Sequence, residues 1–121
     1  MKNKKTLVIG ASLKPDRYSN IAINMLREYN VPTKAIGLRE GKVADVAIET
    51  GLPYYEDIDT ITLYLNATRQ EEYYEYIVSL SPSRIIFNPG TENEMFYRIL
   101  DRYAIEYEIA CTLTLLRTGQ Y

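Results

Sequence analysis

Residues 8–20 read VIGASLKPDRYSN, a short apolar run that enters a glycine and leaves through a polar segment with one proline and two basic side chains. Thr6 to Ile9 has the density of apolar side chains expected of a buried strand, and it stops at Gly10. From Ser19 to Tyr29 the period changes. Ala22, Met25, Leu26 and Tyr29 fall at i, i+3, i+4 and i+7, one face of a helix. A glycine turn between a strand and a helix is either a plain structural junction or a cradle for a phosphate.

Working outward, Val31-Pro32 stops the helix. Thr33 to Leu38 reads as a second strand. Gly41 and Gly51-Leu52-Pro53 bracket a weakly patterned stretch that fits a short extended pair or half a helix. Ile61 to Leu65 is a third strand, and Glu71 to Leu80 a helix with Tyr73, Ile77 and Leu80 on one face. Arg84 to Asn88 is a fourth strand, stopped by Pro89-Gly90. Met95, Phe96, Ile99, Leu100 and Tyr103 give another helical face. Ile105 to Ile109 is the last strand, and a short apolar helix from Thr112 to Leu116 follows. Strands alternating with helices imply right-handed crossovers and a parallel sheet covered on both faces. The expected class is α/β, a doubly wound sheet of about five strands in the order 3-2-1-4-5, in a single domain over residues 1–121. Ligands of such sheets bind beyond the carboxyl ends of the strands, beside the first one.

Composition narrows the partners. The net charge of −2 lacks the basic field that nucleic acid requires. No apolar run approaches the roughly 20 residues that cross a bilayer. Met1 to Lys5 has the charge of a signal peptide's start, but the apolar segment behind it is too short, so it reads as a solvated tail. Cys111 is the one cysteine, which fits a reducing cytoplasm. With no histidine, the usual acid–base and zinc-ligating side chain is missing. A catalytic constellation does not assemble, because no Ser, Cys or Lys has an evident base beside it in sequence. The acids Glu71, Glu72 and Glu75 read as a solvated helix face, and the tyrosines of Tyr73-Tyr74 and Tyr76 as helix packing first, with an interface or a ligand wall as the alternative.

The three strand-to-helix junctions differ in charge. Thr68-Arg69-Gln70-Glu71 and Thr91-Glu92-Asn93-Glu94 read as capping boxes, which place carboxylates where a phosphate would sit. The first helix carries no acid before Glu28. Ser19 is its expected cap, and Lys14 and Arg17 stand just before it. This end is therefore the one open to an anion. Leu38 is followed by Arg39, with Lys42 beyond. An Arg at the end of the second strand suits a phosphorylated ribose, as in NADP or coenzyme A, whereas NAD sites use Asp or Glu there.

The loop Gly10 to Asn20, the strand Ile61 to Leu65 and the segment Ile85-Ile86-Phe87-Asn88-Pro89-Gly90 resemble the small stand-alone CoA-binding proteins. These are similar to the CoA-binding domain of the succinyl-CoA synthetase alpha subunit. The resemblance covers nearly the whole chain and implies a Rossmann-like fold. It implies pyrophosphate over the first loop, at Gly10, Ala11, Ser12, Lys14, Arg17, Tyr18, Ser19 and Asn20. It puts the ribose phosphate near Arg39 and Lys42, and a ligand wall at Asn66, Ala67 and Thr68. This chain departs from many relatives in having Leu38-Arg39 where they carry Asn-Pro, and Asn88-Pro89-Gly90-Thr91 where they carry a Gln-Gly-rich motif. The expected function is a non-catalytic, cytoplasmic coenzyme A-binding module with a small-molecule nucleotide ligand and no nucleic-acid or membrane partner. The alternatives are a small NADP-binding oxidoreductase and a nucleotide-responsive subunit that assembles with a protein partner or with itself. Cys111 reads as a buried small hydrophobe or, near the coenzyme's thiol, as a partner for a mixed disulfide.

Overall fold

The computed structural model describes residues 4–121, so the first part of the expected N-terminal tail, residues 1–3, lies outside the described residues. The chain runs β1 (Thr6–Ala11), α1 (Tyr18–Glu28), β2 (Thr33–Gly37), β3 (Gly41–Val43), β4 (Val46–Glu49), β5 (Thr60–Leu63), α2 (Ala67–Gln70) and α3 (Tyr74–Leu80). It ends β6 (Arg84–Phe87), α4 (Glu94–Arg102), β7 (Glu106–Ile109) and α5 (Thr112–Arg117). A tight 3₁₀ turn over Glu71–Tyr73 joins α2 to α3.

The α/β, Rossmann-like reading holds, but the strand count and order do not. The sheet has seven strands in the order β3-β4-β2-β1-β5-β6-β7. All pairs are parallel except β3 with β4. The strand expected third in sequence, here β5, pairs with β1 at Thr6↔Thr60 through Ile9↔Leu63 rather than lying outside β2. The place outside β2 belongs to β4, through Ala35↔Ile48 and Ile36↔Glu49. The weakly patterned stretch is thus an extended pair. Its turn, Ala44-Asp45, puts Ala44 at φ 54°, a position where hairpins favour glycine, so the usual signal is missing.

Alternation along β1 explains the two-sided core. Leu7 and Ile9 face one layer with Ile61, Leu63, Ile85, Phe87, Ile77, Phe96 and Leu100. Val8 faces the other, with Ala35, Ile23, Leu26 and Leu116. Each fully buried aliphatic or aromatic side chain contributes about 1.5–3 kcal/mol. Of the face expected on α4, Phe96 and Leu100 are buried, whereas Met95 and Tyr103 are exposed.

Two helix starts also differ from expectation. The helix after β5 begins at Ala67, where the Asn66 side chain accepts a hydrogen bond from the Arg69 N–H at 2.9 Å. Thr68 lies inside that helix, and Glu71 and Glu72 fall beyond its first turn. On α4 it is Asn93, not Thr91, that caps, accepting from the Phe96 N–H at 3.2 Å. The first turn of α1 is therefore not the only one free of acid. Those of α2 and α5 are free of it too.

Candidate functional site

β1 has β2 on one side and β5 on the other. Chains leaving their carboxyl ends diverge, and a cleft of about 450 Å³ opens there. Gly10 makes the cleft possible. Its φ is +95°, and a Cβ would stand 2.9 Å from both the carbonyl carbon and the oxygen of Tyr64. A side chain at Gly37 would run into the Ala11 carbonyl oxygen. The two glycines let β1, β2 and β5 close up where the loop turns away.

The loop is held by its own polar groups. Ser12 Oγ accepts from the Lys14 N–H at 3.1 Å, and the Arg17 N–H returns to the Lys14 carbonyl at 3.1 Å across Pro15-Asp16. The Asn20 side chain donates to the Ser12 carbonyl at 2.9 Å. Helix α1 then starts with Arg17 at the cap and no side-chain hydrogen bond there. Ser19, the expected cap, is inside the helix and buried. The amide dipoles of the first turn are left without a carboxylate.

Of the residues singled out in the sequence, Gly10, Ala11, Ser12, Lys14, Arg17 and Arg39 line the cleft. Ser19 and Asn20 stand behind it as buried supports. Lys42 is exposed on β3 and, with Asn66, Ala67 and Thr68, lies outside the lining. On the side where Asn66, Ala67 and Thr68 were expected, the cleft is lined by Tyr64, Leu65, Arg69 and Tyr73. The sequence pattern assigns Arg69 to a capping box, whereas the helix starts one turn before Glu71, and it assigns Tyr73 to helix packing ahead of a ligand wall.

Electrostatics distinguish this cleft. Lys14, Arg17, Arg39 and Arg69 line it, and no Asp or Glu does. The ion pairs among the described residues are Arg27–Asp45 and Arg84–Glu108, so none of the four cleft cations is neutralised by one. Glu40 follows Arg39 in sequence, but it is Arg39 that faces the cleft. A polyanion fits here.

The wall at Leu65 is braced from behind. Gln70, fully buried, donates from Nε2 to the carbonyls of Leu65 and Thr91, both at 2.8 Å, and accepts from Asn93 Nδ2 at 2.9 Å. Every polar atom of that amide is engaged.

Next along the carboxyl edge is a smaller pocket of about 230 Å³, lined by Tyr18, Tyr64, Asn88, Pro89, Cys111 and Leu113. Burial pushes the Tyr64 phenol up to about 12, despite the neighbouring hydroxyls of Thr112 and Thr62, so it stays protonated at neutral pH. Burial alone would raise the Cys111 thiol as well. Hydrogen bonds from the Thr114 hydroxyl and the Thr114 and Leu113 amides, aided by Arg117, hold it below its ordinary range instead. Among the described residues no three His, Cys, Asp or Glu side chains gather as a metal site would require. None of the helices there is long and apolar enough to cross a membrane.

A mostly parallel sheet with a cationic cleft at its switch point places the chain among the doubly wound, Rossmann-like α/β proteins. Within that class, residues 4–117 match the CoA binding domain family, and the chain belongs to it. The structure is similar to a crystal structure of an uncharacterized protein, with TM-score 0.96, 40% identity and full coverage of both chains. It also resembles a hypothetical protein from Pyrococcus horikoshii OT3 at TM-score 0.83 and 22% identity, over 93% of this chain and 81% of that one. A protein from Thermus thermophilus shares the fold at TM-score 0.85 and 16% identity, over 98% and 91% of the two chains. No curated protein matches significantly.

Proposed function

We propose that this protein binds coenzyme A without transforming it. The carrying observation is the cleft itself, with four cations and no acid around the open start of α1. Coenzyme A presents a pyrophosphate and a ribose 3'-phosphate, which match the two ends of that field. The pyrophosphate lies over Gly10 to Ser12, with Lys14 and Arg17 beside it. The ribose phosphate meets Arg39, whose planar fork suits a phosphate oxygen pair better than a hydroxyl. Arg69 supplies charge from the opposite wall. Family membership supports the same ligand. The non-catalytic character is supported by the lack of any histidine in the sequence.

The test is calorimetric titration of coenzyme A, dephospho-CoA, NADP and NAD at one fixed salt concentration, on the wild type, Arg17→Ala and Arg39→Ala. One charge-assisted contact is worth about 1.5–3 kcal/mol, or roughly 10- to 150-fold in affinity, less where water screens it. Coenzyme A should exceed dephospho-CoA by a ratio in that range, and Arg39→Ala should remove most of the difference. Arg17→Ala should weaken both alike. Equal affinity of the wild type for both ligands overturns the assignment of Arg39, and tighter binding of NADP than of coenzyme A overturns the choice of ligand.

A further inference from the structure

The carboxyl edge of the sheet carries a second signal besides the cleft. We propose that it is a self-association face, through which two copies of this chain dock about a two-fold axis along the sheet normal. The proposal stands whatever ligand the cleft takes.

The first observation is charge. Residues 1–55 carry nine Lys and Arg against five Asp and Glu, a net of +4. Residues 56–121 carry five against eleven, a net of −6. The strand order turns this asymmetry of sequence into one of space. β3, β4, β2 and β1 come from the basic part and lie together, and β5, β6 and β7 come from the acidic part. The loops at the carboxyl edge follow suit. Beyond β1 and β2, the exposed Lys14, Arg17 and Arg39 outnumber Asp16 and Glu40. Beyond β5 and β6, the exposed Glu71, Glu72, Glu92 and Glu94 outnumber Arg69.

The second observation is apolar surface. Of the nine large apolar side chains exposed among the described residues, six stand at this edge. Leu13, Tyr18, Leu38 and Leu52 follow the ends of β1, β2 and β4, Met95 opens α4 just after β6, and Ile109 ends β7. Tyr29 and Tyr103, just past the ends of α1 and α4, lie at the opposite edge. Apolar side chains gathered in this way, with charged ones around them, mark a surface that another protein covers.

Charge decides both the occupant and its orientation. An axis along the sheet normal, passing between β1 and β5 where the sign changes, reverses one edge against the other. Each basic half then meets an acidic half, and the contact is made twice. β1 stands over β5 of the second copy, β2 over β6, and β4 over β7. Lys14 and Arg17 come opposite Glu71 and Glu72, Arg39 opposite Glu94, Leu38 opposite Met95, and Leu52 opposite Ile109. An axis along the strand-to-strand direction would set like charge on like. The size is also sufficient. The six strands from β4 to β7, about 4.8 Å each, give about 29 Å of edge, and a helix layer about 10 Å thick on each face makes roughly 600 Å². A specific interface takes about 600–1,000 Å² from each partner.

The experiment is sedimentation velocity over a concentration series up to about 1 mM. It uses the wild type, a Lys14→Glu/Arg39→Glu variant, a Glu72→Lys/Glu94→Lys variant, the equimolar mixture of those two, and Leu38→Ser. Every substituted side chain is exposed, and circular dichroism checks each fold. The wild type should show a concentration-dependent monomer–dimer equilibrium. Each charge-reversed variant alone sets like charges together and should associate about a hundredfold more weakly or worse. Their mixture restores opposite charges at both contacts and should recover to within about tenfold of the wild type. Leu38→Ser should weaken association about tenfold or more, which decides the matter even where a double variant fails to fold. A wild type that stays monomeric throughout overturns the proposal. So does a mixture that associates no better than its components, or a Leu38→Ser protein that associates as the wild type does.

Discussion

Alanine at Gly10 should be far more damaging than alanine at Gly90, although the two backbones are nearly alike. Their φ values are +95° and +91°, so each substitution pays a similar conformational cost of about 1–3 kcal/mol. Each also gains the same few tenths to 1 kcal/mol from restricting the unfolded chain. The surroundings differ. Nothing lies within 4 Å of a Cβ at Gly90, whereas at Gly10 it meets the Tyr64 carbonyl carbon and oxygen at 2.9 Å and Leu65 Cδ2 at 3.1 Å. Leu65 can turn away, but the Tyr64 backbone cannot easily do so. Its N–H is bonded to the Ile9 carbonyl at 2.9 Å, and Leu63 is in register with Ile9. Overpacking of this kind costs about 1–3 kcal/mol more. Urea unfolding of wild type, Gly10→Ala and Gly90→Ala measures the difference, with m unchanged as the check that the transition stays two-state. Gly10→Ala should be the less stable variant by about 1–3 kcal/mol. Equal stability of the two variants would refute the claim that β1 and β5 are locked together at this point.

Two further outcomes follow from the geometry. Gln70→Leu removes both donors from the carbonyls of Leu65 and Thr91 and the acceptor of Asn93, so it should destabilise by about 2–5 kcal/mol in urea unfolding; a loss under about 0.5 kcal/mol would show that water replaces the amide. Incubation with CoA disulfide should place one CoA on Cys111, because its thiolate attacks one sulfur, forms the mixed disulfide and releases the other half as CoA thiolate; intact mass should show the adduct in wild type, with Cys111→Ser as the blank, and no CoA-sized adduct on wild type would contradict the expectation.

The fold class was legible because β1 and β6, buried on both faces, read as apolar runs, β5 alternates threonine with aliphatic side chains, and α1 keeps an undisturbed helical period. The strand order was not. β4 spans only Val46–Glu49, too few residues to show alternation clearly, and its turn uses alanine where glycine would have announced a hairpin. Without β4, the place beside β2 was given to β5. In the site, the first loop was legible through its glycine and its bracketing cations. Arg69 was not, since Asn66 caps the helix two residues before the capping box that Thr68 and Glu71 imitate, and Tyr73 was legible only as one of three clustered tyrosines that suit packing or a ligand wall alike. Ser19 and Asn20 were placed in the right segment, but Ser19 lies inside α1 and does not cap it. They face inward, and Asn20 ties the loop through the Ser12 carbonyl.

A crystal structure with coenzyme A bound tests the central claim most directly. The account predicts pyrophosphate density over Gly10 to Ser12 at the start of α1, within reach of Lys14 and Arg17, and the ribose phosphate at Arg39. Phosphate density at the Asn66 start of α2 or the Asn93 start of α4 would contradict it.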